Sequence, residues 1–251
     1  MNQNRRDQIE EWLTGQKTIT NEEIMDRFGI SIETVRRDLA YLERQGVLKR
    51  VYGGAVKRES LRSEPQYVSR EKKDFAEKQK IARAAAALLE TDDSVFFDLG
   101  TTVAYVAENL SREKRIYAFT NAVRTAVALS ERAGEVILTG GKLRAGEYAL
   151  SGSIAKDVLS RFNIRKAVIG AAGVTEDGVS DFIPEEADLR RFVIGNADTV
   201  ILVADHTKFG VRAMCGVCGV SDVDILVTDE EAPKDILKCF EKNGAKVIIA
   251  K

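Results

Sequence analysis

Apolar positions in the first sixty residues recur at helical spacing and are punctuated by glycines. Ile9, Trp12 and Leu13 share one stripe of residues 3–13, which predicts a helix ended by Gly15. Residues 17–19 read as a short strand. Thr20 and Glu23 stand at capping-box spacing, flanked by Ile19 and Ile24 as a hydrophobic staple, so a second helix starts there. It buries Ile24 and Phe28 and stops at Gly29. Ser31 then caps a third helix, with Ile30 placed to pack on Val35. At about 100° per residue, Ile32, Val35, Leu39 and Leu42 share its inner face, while Thr34, Arg37, Tyr41 and Arg44 lie opposite and Arg36 sits on the flank. Gly46 ends this helix. Residues 47–52 are strand-like, Gly53-Gly54 permits a tight turn, and Ala55-Val56 can return as a second strand. Two capped helices across a short turn, followed by a hairpin, make a winged helix-turn-helix.

The pattern changes after this point. Residues 57–74 are charged and polar, and Pro65 argues against one continuous helix, so the stretch reads as a linker. Residues 71–89 turn helical, and the alanines of "IARAAAALLE" suit close helix packing. From Ser94 onward short apolar runs alternate with helical ones: "SVFFDLG", "RIYAFTN", "EVILTGG", "KAVIGAAG", "TVILVAD", "DILVTD" and "KVIIA". Nearly continuous apolar strands are buried on both faces. The helices between them include 101–110, 122–132, 154–161 and 185–196. The predicted class is α/β: a winged helix-turn-helix on 1–57, a linker on 58–74, and a larger Rossmann-like α/β domain with a mostly parallel sheet on 75–251.

Composition narrows the picture modestly. With 44% hydrophobic and 31% charged residues, the chain has ample material for a core. No apolar run reaches the ~18–20 residues that span a bilayer. A polar N-terminus and an odd count of three cysteines suggest a cytoplasmic protein with neither signal peptide nor disulfide framework. The net charge of −1 means that anion binding must come from local patches. One such patch runs from Arg36 to Arg58, where basic residues outnumber acidic ones. This predicts binding of double-stranded DNA by Ser31, Thr34, Arg36 and Arg37 from the capped helix and its start, and by Lys49, Arg50, Tyr52 and Gly53 from the wing.

A second candidate site lies at the carboxyl ends of the parallel strands, where such sheets bind ligands. Asp98, Gly100, Thr101 and Thr102 open a helix, whose free N–H groups suit a phosphate, although the same residues also make an ordinary helix start. Asn121, then Gly140, Gly141 and Lys142, then Gly170, Glu186, Asp205 and Lys208 follow at later strand ends. Hydroxyls, carboxylates and lysines at one rim describe a pocket for a small phosphorylated polyol. Gly140-Gly141-Lys142 is not a P-loop, because Leu143 stands where Ser or Thr is needed. Glu186 also fits the dipole of a first helical turn. Cys215 and Cys218 lack a second pair or a histidine to complete a zinc site, so they and Cys239 read as packing residues, and no metal is expected. The single histidine, His206, reads as a polar surface or pocket group.

"TVRRDLAYLERQGVLKRVYGGAV" resembles the N-terminal signature of the DeoR family of bacterial transcriptional regulators, with T-V-R-R-D-L and Y-G-G-A at the family's spacing. "DLGTT", "TNA", "LTGGKLR", "SGSIA", "EEA" and "ADHTKFG" are similar to that family's effector domain, which in turn resembles ribose-5-phosphate isomerase. The resemblance implies a repressor of a carbohydrate catabolism operon that binds operator DNA, is controlled by a phosphorylated sugar, acts as a dimer or tetramer, and needs no cofactor. Where the isomerases carry Asp-Gly-Ala-Asp, this chain has Gly170-Ala171-Ala172-Gly173, while Asp205 and Lys208 keep the Asp-x-x-Lys element. Acid/base work needs a carboxylate within reach of the substrate proton, so a sensor is expected rather than an enzyme, and no catalytic residue is assigned. The alternatives are an isomerase-like enzyme with an appended DNA-binding module, and an architectural DNA-binding protein.

Overall fold

The computed structural model describes residues 5, 6, 8, 9, 12, 13, 16, 18–44, 48–51, 53–57, 64 and 67–251, with backbone alone at 44, 49 and 57. Gly15, Lys17, Gly46, Val47, Tyr52 and Pro65 lie outside the described residues. The chain divides into two compact units, Met1–Ser63 and Glu64–Lys251.

In the first unit, the helical residues 5, 6, 8, 9, 12 and 13 precede strand β1 (Thr18–Thr20), helix α1 (Asn21–Phe28), helix α2 (Ile32–Arg44) and the strands β2 (Leu48–Val51) and β3 (Gly54–Lys57). The capping box forms as expected. The Glu23 amide donates to Thr20 Oγ1 at 3.2 Å, and the Thr20 amide donates to Glu23 Oε2 at 2.7 Å. Gly29 ends α1 in the left-handed conformation, φ 59°. Ile9, Leu13, Ile19, Ile24, Val35, Leu39, Leu42, Leu48 and Ala55 form one buried cluster. β3 lies between β1 and β2, antiparallel to both, with Thr20 opposite Gly54 and Val51 opposite Gly54. Gly54 is required by this packing, because a Cβ there would sit 2.2 Å from the Ile19 carbonyl oxygen. The turn-forming glycine is Gly53, φ 83°.

The second unit is built on a seven-stranded sheet. Its strands are β4 (Ser94–Phe97), β5 (Tyr117–Thr120), β6 (Glu135–Leu138), β9 (Ile164–Ile169), β12 (Ala197–Val203), β14 (Ile225–Thr228) and β15 (Lys246–Ile249). These are the seven apolar runs read from the sequence. They stand in the order β15-β14-β12-β9-β4-β5-β6, and every neighbouring pair is parallel. One face is covered by α4 (Phe75–Ala87), α5 (Thr101–Glu108) and α6 (Val123–Ser130), through Ile81, Ala85, Val103, Val106 and Leu129. The other face is covered by α7 (Ser153–Leu159), α8 (Pro184–Ile194) and α9 (Lys234–Lys242), through Leu159, Ala187, Val193 and Phe240. Apolar burial on both faces is what a parallel sheet requires.

Three features go beyond the sequence pattern. α3 (Tyr67–Lys72) falls in the stretch read as a linker. A hairpin pairs β7 (Lys142–Arg144) with β8 (Ala149–Ser151). A small antiparallel sheet joins β10 (Gly173–Thr175), β11 (Gly178–Asp181) and β13 (Cys215–Cys218). β4 and β9 are sheet neighbours from which the chain proceeds in opposite directions, so the sheet switches topology between them.

Candidate DNA-reading face and ligand cleft

α2 presents its polar face as the helical period demands. Val35 and Leu39 are buried, whereas Arg36 and Arg37 are both exposed and carry no ion pair among the described residues. Ser31 caps the helix, its hydroxyl 3.1 Å from that of Thr34 and 3.5 Å from the Thr34 amide. The neighbouring acid has a different task. Asp38 is 1% exposed, accepts from Arg5 Nε at 2.8 Å and Arg6 Nε at 2.7 Å, and so ties the first helix to α2. Arg6 also stacks 4.0 Å above the Tyr41 ring. On the wing, the Arg50 amide and Nε donate to the Glu43 carboxylate at 2.9 and 2.7 Å, which fastens β2 to α2. Gly53 is exposed at the wing tip, and the side chains of Lys49 and Tyr52 lie outside the described residues.

At the topological switch of the second unit lies a narrow cleft. Of the sequence-predicted residues, Gly100, Thr101, Thr102, Gly170 and Lys208 line it. Gly100 opens α5 at φ 115°, and the first helical bond recorded there runs from the Ala104 amide back to Gly100 at 3.0 Å. The amides of Thr101, Thr102 and Val103 thus have no intrahelical partner, and the positive end of the helix faces the cleft. Lys208 sits across it on the short turn His206–Lys208. Burial pulls the Lys208 ammonium below the usual lysine range, and it makes no ion pair among the described residues.

Seven predicted residues do not line the cleft. Asp98 lies beneath it, where Oδ2 accepts from Arg190 Nε at 2.6 Å and the Gly170 amide at 3.2 Å. Asn121 donates to the Leu150 carbonyl at 3.1 Å and so anchors the β7–β8 hairpin. Gly140 and Gly141 form the entry to that hairpin, and a Cβ on Gly141 would stand 2.6 Å from the Ser151 carbonyl oxygen. Lys142 is exposed. Glu186 accepts Arg144 Nε at 2.6 Å and Nη2 at 3.0 Å. Asp205 caps the His206 turn through Oδ1, and its buried Oδ2 has Lys78 Nζ 4.0 Å away.

Two arginines of this region, Arg70 and Arg190, were missed by sequence reasoning. Arg190 is 3% exposed and bridges Asp98 to Asp181, two carboxylates that hold its charge far above the usual range. Arg70 on α3 pairs with Glu64 at 2.9 Å and with Glu147, and Arg144 reaches Glu64 at 2.8 Å. The available signal was periodic: Arg190 shares a helix face with Glu186, Ala187 and Val193, all of them buried. At the end of β9, Gly170, Ala171 and Ala172 line the cleft without an ionisable side chain, and the lining carboxylates of Asp181 and Glu64 are committed to arginines.

A winged helix-turn-helix joined to an α/β unit with an anion-suited cleft defines a transcription regulator that senses a small molecule. Residues 5–60 match the DeoR-like helix-turn-helix domain and residues 73–230 the DeoR C terminal sensor domain. The HTH-type transcriptional repressor GlcR of Bacillus subtilis (strain 168) is 33% identical over 96% of this chain and 93% of its own. The glycerol-3-phosphate regulon repressor of Escherichia coli (strain K12) is 32% identical over 93% of each. Among solved structures, ribose 5-phosphate isomerase A from Methanocaldococcus jannaschii aligns with 53% of this chain and 53% of its own at 15% identity, with a TM-score of 0.40. The chain belongs to the DeoR family of transcriptional regulators and is a regulator, not an enzyme. Among the described residues no helix is long and apolar enough to cross a membrane.

Proposed function

We propose that this regulator represses a carbohydrate-use operon in the cytoplasm and releases it when a phosphorylated sugar fills the cleft. The observation that carries the reading is the pairing of the open N-terminus of α5, at Gly100-Thr101-Thr102, with Lys208, a cleft cation that makes no direct ion pair among the described residues, although Asp205 and Glu64 act on it from further away. A phosphate dianion fits between a helix N-terminus and an ammonium. The printed name of one relative, a glycerol-3-phosphate regulon repressor, supports the same class of effector. Arg37 and Thr34 would meet base edges in the major groove, and Arg36, Lys49, Arg50, Tyr52 and Gly53 the phosphate backbone. Two half-sites need two heads, so the working form is a homo-oligomer, a dimer or tetramer.

The test is fluorescence anisotropy on the DNA upstream of its own gene, titrated with a panel of sugar phosphates. One compound should weaken binding about 5–150-fold, the usual range of allosteric coupling. Lys208→Ala should bind the DNA and ignore that compound. A panel without effect on either protein would remove the sensor reading.

A further inference from the structure

His206 is the chain's only histidine. It opens the turn whose third residue, Lys208, lines the cleft, but its own ring turns to a neighbouring loop. β12 and β14 are adjacent in the sheet, so the loop after β14 lies beside this turn. Asp229, 2% exposed, is the first residue of that loop. Its carboxylate accepts the His206 amide at 2.8 Å through Oδ2 and the Glu231 amide at 2.9 Å through Oδ1. The His206 ring closes on the same group, with Nδ1 3.2 Å from Oδ1 and 3.3 Å from Oδ2. The other ring nitrogen, Nε2, faces a second carboxylate, Glu231 Oε2 at 3.6 Å. A neutral imidazole donates from one nitrogen and presents a lone pair at the other. Here that lone pair would meet a carboxylate whichever tautomer formed. Only the imidazolium, donating from both nitrogens, matches a carboxylate on each side. The surrounding charges agree. Burial lowers the pKa of the ring, but Asp229, Glu231 and, from the residue before α4, Asp74 outweigh it and raise the group above its ordinary 6.5. Within the turn, Asp205 Oδ1 accepts the Thr207 amide at 3.1 Å and the Thr207 hydroxyl, and the Asp205 carbonyl accepts the Lys208 amide at 3.0 Å. The turn is thus fastened twice, by Asp205 from within and by Asp229 from beside it. The Lys208 ammonium has no direct ion pair among the described residues, so its place in the cleft depends on how this turn is held.

We infer that His206 is a positioning residue for the anion in the cleft: as an imidazolium it ties the turn that presents Lys208 to Asp229 and Glu231. This rests on the reading of the cleft as a phosphate site. Loss of the proton sets a lone pair against one of the carboxylates and removes a positive charge from the turn. The turn is then held less firmly, and it attracts an anion less. Proton and effector are therefore coupled, and the coupling is reciprocal: the factor by which the proton raises effector affinity is the factor by which the effector raises proton affinity. A histidine whose pKa is raised in the folded protein contributes fully below its ordinary value and loses that contribution as the pH rises through the raised one. Effector binding should weaken over the same window.

The experiment uses the full-length protein, with sulfate and inorganic phosphate as probes. Sulfate keeps both its charges from about pH 6 to about pH 8.5, the range in which a histidine changes its own, so any pH dependence of its binding belongs to the protein. With one histidine in the chain, a single set of imidazole NMR signals reports His206 directly. Saturating sulfate should raise the midpoint of that titration, and calorimetry should show sulfate affinity falling by the matching factor, about threefold, as the pH rises through it. His206→Asn keeps a donor toward Asp229 but has no proton to lose. It should lose that threefold, and whatever pH dependence remains belongs to other groups such as Glu186 and Lys208. The NMR titration of the wild-type protein stands even if the variant folds poorly. Sulfate binding that needs Lys208, shown by its loss in Lys208→Ala, together with an unmoved His206 midpoint and an unchanged pH profile in His206→Asn, would overturn the positioning role and keep the phosphate site. Failure of both probes to bind, or binding that survives Lys208→Ala, would instead overturn the phosphate site, and this role of His206 with it.

Discussion

A guanidinium cut off from water needs its charge answered nearby, and Arg190 receives that answer twice. Asp98 comes from the end of β4 and Asp181 from the end of β11, so one side chain on α8 joins three elements under the cleft. Arg190→Met should cost ~3–5 kcal/mol, because it leaves two buried carboxylates without a counter-charge. Urea unfolding measures this, and adding Asp98→Asn and Asp181→Asn should recover most of the loss. An unchanged midpoint in the single variant would mean that the triad does not hold these elements. Glu186 makes a pH prediction. Burial, with Asp181 and Glu64 nearby, pushes its carboxyl up to about 7 despite Arg144. The folded chain therefore holds a proton that the unfolded chain has released, from the ordinary glutamate value of 4.5 up to about 7. Its contribution is full below this window and is lost as pH rises through it. Thermal melts at pH 5 and pH 7.5 should show a smaller difference for Glu186→Gln than for wild type. On the DNA-reading face, Arg37→Ala should lose discrimination worth ~1–3 kcal/mol on operator DNA while keeping weak, sequence-independent binding. Anisotropy on operator and scrambled duplexes separates the two, and retained preference for the operator would move base reading to another side chain.

Among the elements, α1 owes its start to two reciprocal bonds between Thr20 and Glu23. Thr20→Ala removes the hydroxyl acceptor and should cost ~1 kcal/mol, read as a lower urea midpoint. A loss near zero would mean that Ile19 and Ile24 alone fix the helix start. This helix was legible because its signals are local: a cap, a staple and a terminal glycine within ten residues of sequence. The seven parallel strands were legible for a related reason, since burial on both faces writes itself as an apolar run. The small sheet was not. Its strands are three or four residues long, and β11 pairs with β13 more than thirty residues away, at Asp181 opposite Cys215. The charged contacts hid in the same way. In "DLRRFV" Arg190 and Arg191 look alike, yet one turns inward to Asp98 and the other outward to the Gly216 carbonyl. In "TVRRDL" the arginines advertise DNA, while Asp38 beside them is buried by Arg5 and Arg6 from thirty-odd residues earlier. Arg50 shows a second such pair. A basic wing residue suggests a phosphate contact, and its side chain also braces the wing against Glu43. Cleft residues followed suit: the helix start at Gly100-Thr101-Thr102 was readable, whereas the arginine network around Glu64 depends on pairs far apart in sequence.

For the whole molecule, a net charge of −1 on 251 residues gives little general attraction to DNA, so operator affinity would rest on the local basic face and, in the proposed oligomer, on how two such faces are presented together. Linkage makes this testable without knowing the operon. If a sugar phosphate lowers operator affinity by some factor, saturating operator must lower affinity for that sugar phosphate by the same factor. Calorimetry of the effector into free protein and into the protein–operator complex measures it directly. The route of the coupling can be told from the same titration on a duplex carrying a single half-site. An effector that changes the spacing of two heads costs nothing to one head, because a ligand shifts an equilibrium only by what it contributes differently to the two states. The half-site complex should then bind the effector almost as well as the free protein does. Equal coupling on full and half sites would place the effect within one subunit rather than in the arrangement of the pair.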